Sequence, residues 1–249
     1  TFGPLFRSKK VIEKNISFAF RELDKESKEK IISNMWKSYG KILAEYVFIR
    51  YFRKIESEKF LEVRGQEILE KIKLSKDPVI FISGHFDNFE LMAMHIEKSG
   101  IDLAAIYRPL NNNFLNPIME NIREKYICRK QIKKGISGTK EILKHFKLGT
   151  SIALMIDQRV SEGIKSLLFK NEALTTTIPA QFVKKFNCKI VPIYIERKVN
   201  ESFVLEIMQP MSFDNDKTIE NITLKLNELL EMMIIRNPNQ WIWSHNRWK

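Results

Sequence analysis

The residues with the clearest capacity for chemistry lie in Gly84-His85-Phe86-Asp87-Asn88-Phe89-Glu90, where four residues separate an imidazole from a carboxylate. A turn can fold Glu90 back toward His85. A carboxylate bonded to one imidazole nitrogen fixes the tautomer and stabilises the imidazolium. The other nitrogen is then free to take a proton from a hydroxyl. His85 is therefore a candidate general base with Glu90 as its orienting partner. The plainer alternative makes Glu90 a helix cap and His85 a turn residue, and the spacing alone does not separate the two.

The elements around this pair give it a setting. Val79 to Ile82 is an unbroken apolar run, as expected of a strand buried on both faces. Asp87 followed by Glu90 predicts a capping box that opens a helix through Leu91, Met94 and Ile96, with a stop at Gly100. His85 then falls between a strand end and a helix start, the edge at which open α/β sheets bind ligands. Two more runs end in the same way. Leu103 to Tyr107 leads into Arg108-Pro109-Leu110-Asn111-Asn112, and Ser151 to Ile156 leads into Asp157-Gln158-Arg159. If these strands are parallel, their polar ends share one edge of the sheet.

The remaining pattern alternates strands and helices. Helical spacing covers Ser27 to Phe52, Gln66 to Lys73, Phe114 to Tyr126 with Arg123, Ser137 to Phe146, Ile178 to Phe186 and Thr218 to Ile235. Val11, Ile12, Ile16 and Phe20 repeat at roughly helical spacing ahead of them. Phe60 to Val63 and Phe203 to Ile207 read as strands, and Lys189 to Ile195 as one broken by Pro192. The expected fold is α/β, a mostly parallel central sheet flanked by helices with a helical N-terminal lead-in. We read 1–249 as one domain, with a mainly helical part over 1–75 and the α/β core over 76–249. The stripe from Ile42 to Phe52, flanked by Lys37, Lys41, Arg50 and Arg53, serves either as core or as a face on a membrane surface.

Composition narrows the functional classes. A net charge of +12 favours an acidic partner such as anionic lipid, an acidic carrier protein or nucleic acid, unless it is compositional drift. Cys128 and Cys188 form no Cys-x-x-Cys pair, so neither a zinc knuckle nor a disulfide framework is expected. His95 and His145 belong to no recognisable metal set, and no His-Glu-x-x-His is present. His245, among Trp241, Trp243 and Trp248, is assigned to hydrogen-bonded packing. The chain lacks a Gly-x-Ser-x-Gly elbow and a Gly-x4-Gly-Lys-Ser/Thr loop, which argues against serine hydrolysis and phosphoryl transfer. No stretch reaches the roughly 18 apolar residues of a spanning helix.

Taken in order, these segments resemble the lipid A late acyltransferases, the lauroyl/myristoyl transferase group of the glycerolipid and lysophospholipid acyltransferase superfamily. The resemblance rests on His85-x4-Glu90, Tyr107-Arg108-Pro109 with Asn112, Arg123, Asp157-Gln158, Ala173-Leu-Thr-Thr-Thr177 and Asn15-Ile-x2-Ala-Phe20. It also includes the ending Pro238-x-Gln-Trp-x-Trp-x-His-x-Arg-Trp-Lys249. Two segments depart from the pattern, Arg159-Val-Ser-Glu-Gly163 and Leu167-Leu-Phe-Lys-Asn171, and the usual anchor stretch before the first helices is absent. The resemblance implies acyl transfer from an acyl carrier protein thioester to a hydroxyl of a phosphorylated glucosamine lipid, without a metal or other cofactor.

Within that implied reaction, His85 is the base and Glu90 its orienting carboxylate. Arg108, Asn112, Arg123, Asp157 and Gln158 line the substrate site. The two arginines serve an oxyanion or a phosphate, which guanidinium forks bind well, and Asp157 and Gln158 shape the pocket. The implied partners are an acyl carrier protein, an anionic lipid acceptor and a membrane surface, not nucleic acid. The implied location is the cytoplasmic face of the inner membrane, reached peripherally or through an N-terminal anchor outside this sequence. The competing expectation is a catalytically idle relative that binds lipid surfaces or nucleic acid through its basic charge.

Overall fold

The computed structural model describes residues 8–54 and 59–249. Of the predicted N-terminal pattern, the first seven residues lie outside that description. The rest is α1 (Lys9–Ala19), with Ile12, Asn15 and Ile16 buried. The long periodic stretch is α2 (Lys25–Lys54). There follow β1 (Leu61–Arg64), α3 (Gln66–Ser75), β2 (Ile80–Ser83), α4 (Glu90–Lys98), β3 (Leu103–Tyr107), α5 (Leu115–Tyr126) and β4 (Lys130–Lys133). After these come α6 (Ile136–Lys147), β5 (Ser151–Met155), β6 (Ile164–Leu168), β7 (Asn171–Thr175), α7 (Ile178–Phe186), β8 (Ile190–Arg197), β9 (Phe203–Ile207) and α8 (Ile219–Arg236).

Seven strands form one sheet in the order β1-β9-β8-β2-β5-β3-β4, and only the β8–β9 pair is antiparallel. This is the expected mostly parallel α/β fold, with eight α-helices around the sheet among the described residues. β2 is central. Each of its residues is buried, since β8 and β5 flank it and both faces are covered. Its neighbours on one side are β5 and then β3, so the three strands with polar ends are adjacent and parallel. β1 arises in the mainly helical first part yet forms the sheet's edge against β9.

Several local expectations are corrected. Pro192 does not break β8. It lies where the ladder with β2 ends at Ile82↔Pro192 and the ladder with β9 begins at Ile193↔Ile207, so its missing N–H interrupts neither. β4 was not anticipated, because only Ile132 of its four residues is buried and lysines flank it. The β6–β7 hairpin is also new. Its two-residue turn is Phe169-Lys170 at φ 50° and 60°, a geometry usually signalled by Asn-Gly. The predicted capping box at Asp87/Glu90 does not form. α4 starts without a side-chain cap, and Asp87 instead binds Arg197. The capping box that does form is on α8, where Thr218 and Asn221 exchange bonds.

Candidate active site

The register of two parallel strands creates the site. Ser83 of β2 pairs with Met155 of β5, so the positions two residues on, His85 and Asp157, emerge opposite each other. The Asp157 carboxylate meets the turn twice. Its Oδ2 accepts the His85 backbone N–H at 2.8 Å, and its Oδ1 lies 2.8 Å from His85 Nδ1. Trp241 Nε1–H donates to the same Oδ2 at 2.9 Å. Burial alone would push the Asp157 carboxyl up. The facing imidazole and the His85 backbone N–H outweigh burial and hold it well below the usual carboxylate range.

The orienting place that spacing assigned to Glu90 is therefore held by Asp157. Glu90 sits in the first turn of α4 and faces elsewhere. Its Oε1 accepts from Tyr46 Oη and from Arg123 Nε and Nη2, the last two at 2.9 and 2.7 Å. Arg123 Nη2 also reaches Tyr46 Oη at 3.2 Å. This triad, with Glu90 buried and Tyr46 and Arg123 half-buried, joins α2, α4 and α5, so Arg123 is an ion-paired wall residue.

A second network secures the turn from below. Asp87 has a positive φ of 31°, uncommon for a residue with a Cβ though aspartate adopts it more readily than most. Its Oδ1 accepts from Arg197 Nε at 2.9 Å and from the Asn88 N–H at 2.8 Å. Arg197, at the end of β8, also holds Glu45 of α2 through Nη1 and Nη2 at 2.6 and 2.9 Å. Glu45 in turn accepts from Asn88 Nδ2 at 2.7 Å. These contacts fix the turn that follows the end of β2 and His85.

His85 opens onto a cavity of about 540 Å³ between the sheet and helices α2, α4 and α5. Phe89 packs its ring edge-on to the imidazole, with centroids 4.7 Å apart. The inner walls are apolar, including Ile82, Met92, Ile96, Ile106, Ile127 and Leu154. Among the polar lining residues, Arg108 and Lys134 are exposed and His85, Gln158 and His245 half-buried, which marks the open end or mouth, while Tyr46, Glu90 and Arg123 lie in the wall. A slot of this size, apolar inside and with few polar groups, suits a small ligand or an acyl chain.

The other predicted positions divide. Gln158 touches the imidazole, with Nε2 3.3 Å from His85 Nε2. Arg108 is exposed at the rim. Asn112 is not among the cavity-lining residues. Its Oδ1 accepts the backbone N–H groups of Phe114 and Leu115 at 2.9 and 3.1 Å, where α5 begins.

Sequence reasoning missed Tyr46, Glu45, Arg197 and the exposure of His245 to the cavity. For Arg197 a signal was present, since it too stands at the end of a buried strand. His245 was assigned to packing, yet its Nε2 lies 3.0 Å from Gln158 Nε2. Its loop is pinned by Asn15 of α1, whose Nδ2 donates to the carbonyls of Trp243 and His245. Arg247, fully buried, ties the tail to the hairpin through the Leu174 carbonyl and Thr175 Oγ1, both at 2.7 Å.

The family model described as bacterial lipid A biosynthesis acyltransferase matches residues 2–249. The chain is 23% identical over 252 residues to a lipid A biosynthesis palmitoleoyltransferase of Escherichia coli (strain K12), covering 98% of this chain and 80% of the relative. It is 22% identical over 251 residues to a lipid A biosynthesis lauroyltransferase of the same organism, with 98% and 79% covered. For a lipid A biosynthesis myristoyltransferase, also from that strain, identity is 21% over 234 residues, with 92% and 71% covered.

Proposed function

The chain belongs to the bacterial lipid A biosynthesis acyltransferase family and is an acyltransferase; we propose that it moves a fatty acyl chain from an acyl carrier protein thioester to a hydroxyl of a phosphorylated glucosamine lipid. The observation that carries this reading is the His85–Asp157 pair at the mouth of an apolar cavity. Asp157 accepts the proton-bearing Nδ1 of His85, so Nε2 presents a lone pair to the mouth. The acceptor hydroxyl gives its proton to Nε2 as its oxygen attacks the thioester carbon. The tetrahedral intermediate then collapses, the carbon–sulfur bond breaks, and the imidazolium returns the proton to the thiolate. The acyl chain occupies the apolar interior.

Glu90 acts at one remove in this scheme, holding Arg123 and Tyr46 in the wall. Arg108 is placed at the rim to receive an acceptor phosphate, for which a guanidinium fork is suited. Among the described residues, no helix is long and apolar enough to cross a membrane. α2 nevertheless exposes Leu43, Val47, Phe48 and Tyr51, and Phe114, Leu115 and Ile118 are exposed at and near the start of α5. Leu43, Leu115 and Ile118 also line the cavity. This supports a site that opens toward a lipid surface, at the cytoplasmic face of the inner membrane where a soluble thioester and a bilayer lipid can meet. The positive balance of the chain suits both the acidic carrier protein and anionic lipid.

The test is an assay of the purified protein with acyl carrier protein thioesters and a lipid A precursor, with products read by mass spectrometry. Wild type should produce an acylated lipid, and His85→Ala should lose about 10²–10⁴-fold in rate. Full turnover by a folded His85→Ala protein would rule out the base mechanism. No product from wild type over a range of acyl lengths would rule out the substrate assignment.

A further inference from the structure

Two imidazoles face one amide in this site. Gln158 Nε2 is 3.3 Å from His85 Nε2 and 3.0 Å from His245 Nε2, and all three residues line the cavity mouth. The ring centroids of His85 and His245 are 6.0 Å apart, which leaves room for a single group between them. A primary amide nitrogen carries two hydrogens. Asp157 occupies His85 Nδ1, so His85 Nε2 is an acceptor, and an N–H is the group that suits it.

We propose that Gln158 is the oxyanion donor of this active site and that His245 is the positioning residue that keeps its amino group facing the reacting carbon. The proposal rests on the acyl-transfer reading above. In the resting site, Gln158 donates one hydrogen to each imidazole. When the acceptor hydroxyl takes over the lone pair of His85, the hydrogen that had served His85 is released beside the reaction centre. The attacking oxygen and the carbonyl oxygen share one carbon, so base and oxyanion donor must lie side by side, about 3 Å from a common point. The 3.3 Å separation of the two nitrogens puts base and donor side by side.

His245 supplies the directionality. Rotating the amide by half a turn would place Oε1 between the two rings. That oxygen would repel the lone pair of His85 and the growing negative charge. With His245 Nε2 accepting the second hydrogen, the amino group is held forward throughout the reaction. The tail also has reason to be rigid here, because the carbonyl of His245 is fixed by Asn15 and the neighbouring Arg247 is anchored to the hairpin. A donor that is already aimed costs no reorganisation in the transition state.

The experiment compares Gln158→Met, His245→Phe, His245→Gln and the double variant Gln158→Met/His245→Phe in the lipid acylation assay. Gln158→Met should lower kcat by about 10²–10³-fold, the typical loss of one oxyanion donor, with KM little changed. His245→Phe should lower kcat by roughly tenfold to a hundredfold, consistent with misplacing a reacting group. His245→Gln, which restores an acceptor near the position of Nε2, should recover most of that loss. The double variant should be no slower than Gln158→Met alone, because His245 acts through the amide. Loss in the double variant equal to the product of the single losses, or a Gln158→Met rate within about threefold of wild type, overturns the proposal.

A second measurement needs no substrate. With imidazole nitrogens labelled, NMR of the neutral rings should find Nε2 of both His85 and His245 unprotonated, and Gln158→Met should move both signals. A proton on either Nε2 overturns the assignment of the amide as donor. Inactive wild type with this NMR signature would sink the substrate reading and leave the two-imidazole geometry standing.

Discussion

Asp157→Asn is the most discriminating single change, because the surrounding donors dictate how the amide must sit. Oδ2 of Asp157 accepts two N–H groups, from the His85 backbone and the Trp241 indole, that can only donate. The amide oxygen of the variant must therefore take that place, and its NH₂ must face His85 Nδ1. The imidazole is then driven to the tautomer with its proton on Nε2, leaving no lone pair toward the cavity. A wrong tautomer produced in this way costs about 10⁴ in kcat in a serine protease triad, equivalent to about 5 kcal/mol. We expect a loss of about 10³–10⁴ here, with fold and KM largely retained.

The same substitution has a signature in stability. The carboxyl of Asp157 is held below its ordinary range in the folded state. Its contribution is therefore complete above the unfolded value of about 4 and is lost as pH falls through the lower folded value. Acid unfolding of Asp157→Asn should lack that component and be shallower below about pH 4. Steady-state acylation and acid titration by circular dichroism are the assays. The reasoning is refuted if Asp157→Asn turns over within about tenfold of wild type while Glu90→Gln loses the larger factor, because Glu90 would then be the orienting carboxylate.

Three other outcomes follow from the structure. Arg197→Met should cost about 3–5 kcal/mol in urea unfolding, since it leaves the buried Asp87 and half-buried Glu45 carboxylates uncompensated; a loss under about 1 kcal/mol would show that the network is not structural. Burial, with Lys98 adding to it, lowers the His95 imidazole from 6.5 to about 4. The unfolded chain then binds the extra proton, so stability should fall by about 3 kcal/mol as pH drops through that window, and an equally steep fall in His95→Gln would contradict this. Vesicle co-sedimentation should detect binding to anionic bilayers that weakens with salt. Val47→Asp/Phe48→Asp should abolish it, and unchanged binding by that variant would remove α2 from the contact surface.

How far the sequence discloses this molecule depends on whether a feature is local. β2, β3 and β5 were legible because buried parallel strands are apolar runs that stop abruptly, and the polar ends marked His85, Arg108 and Asp157 correctly as edge residues. The pairing at that edge was not legible. His85 and Asp157 are brought together by the Ser83↔Met155 register, which no short-range spacing encodes. The expected contact of Glu90 with His85 is not formed, because four intervening residues permit a contact without requiring it. The helical start carried its carboxylate toward Arg123 instead. β4 was hidden because a single inward side chain leaves no period to read. The β6–β7 hairpin was hidden because Phe169 and Lys170 occupy a turn that glycine or asparagine usually announces.

α2 shows why its own pattern was ambiguous between core and membrane. Its apolar stripe broadens because the helix has two apolar sides. Ile42 and Ile49 are buried, and on the same side Glu45 and Tyr46 grip the turn after His85 and the Glu90–Arg123 pair. On the other side Val47 is 79% exposed, with Leu43, Phe48 and Tyr51 beside it. One protein core cannot satisfy both faces of a single-layer helix. A second apolar medium is what the outer face lacks, and exposed patches of this kind mark interaction surfaces. The cavity itself lies between this helix and α5, and exposed Leu43, Leu115 and Ile118 are part of its lining. The helix that carries this exposed apolar face is thus the one that holds the His85 turn in place. Under the acyl-transfer reading, adsorption through α2 would bring the acceptor to His85 without any rearrangement of the site. Substitutions on the outer face should accordingly raise KM for the lipid acceptor and leave kcat unaltered, whereas Tyr46→Phe on the inner face should act on kcat.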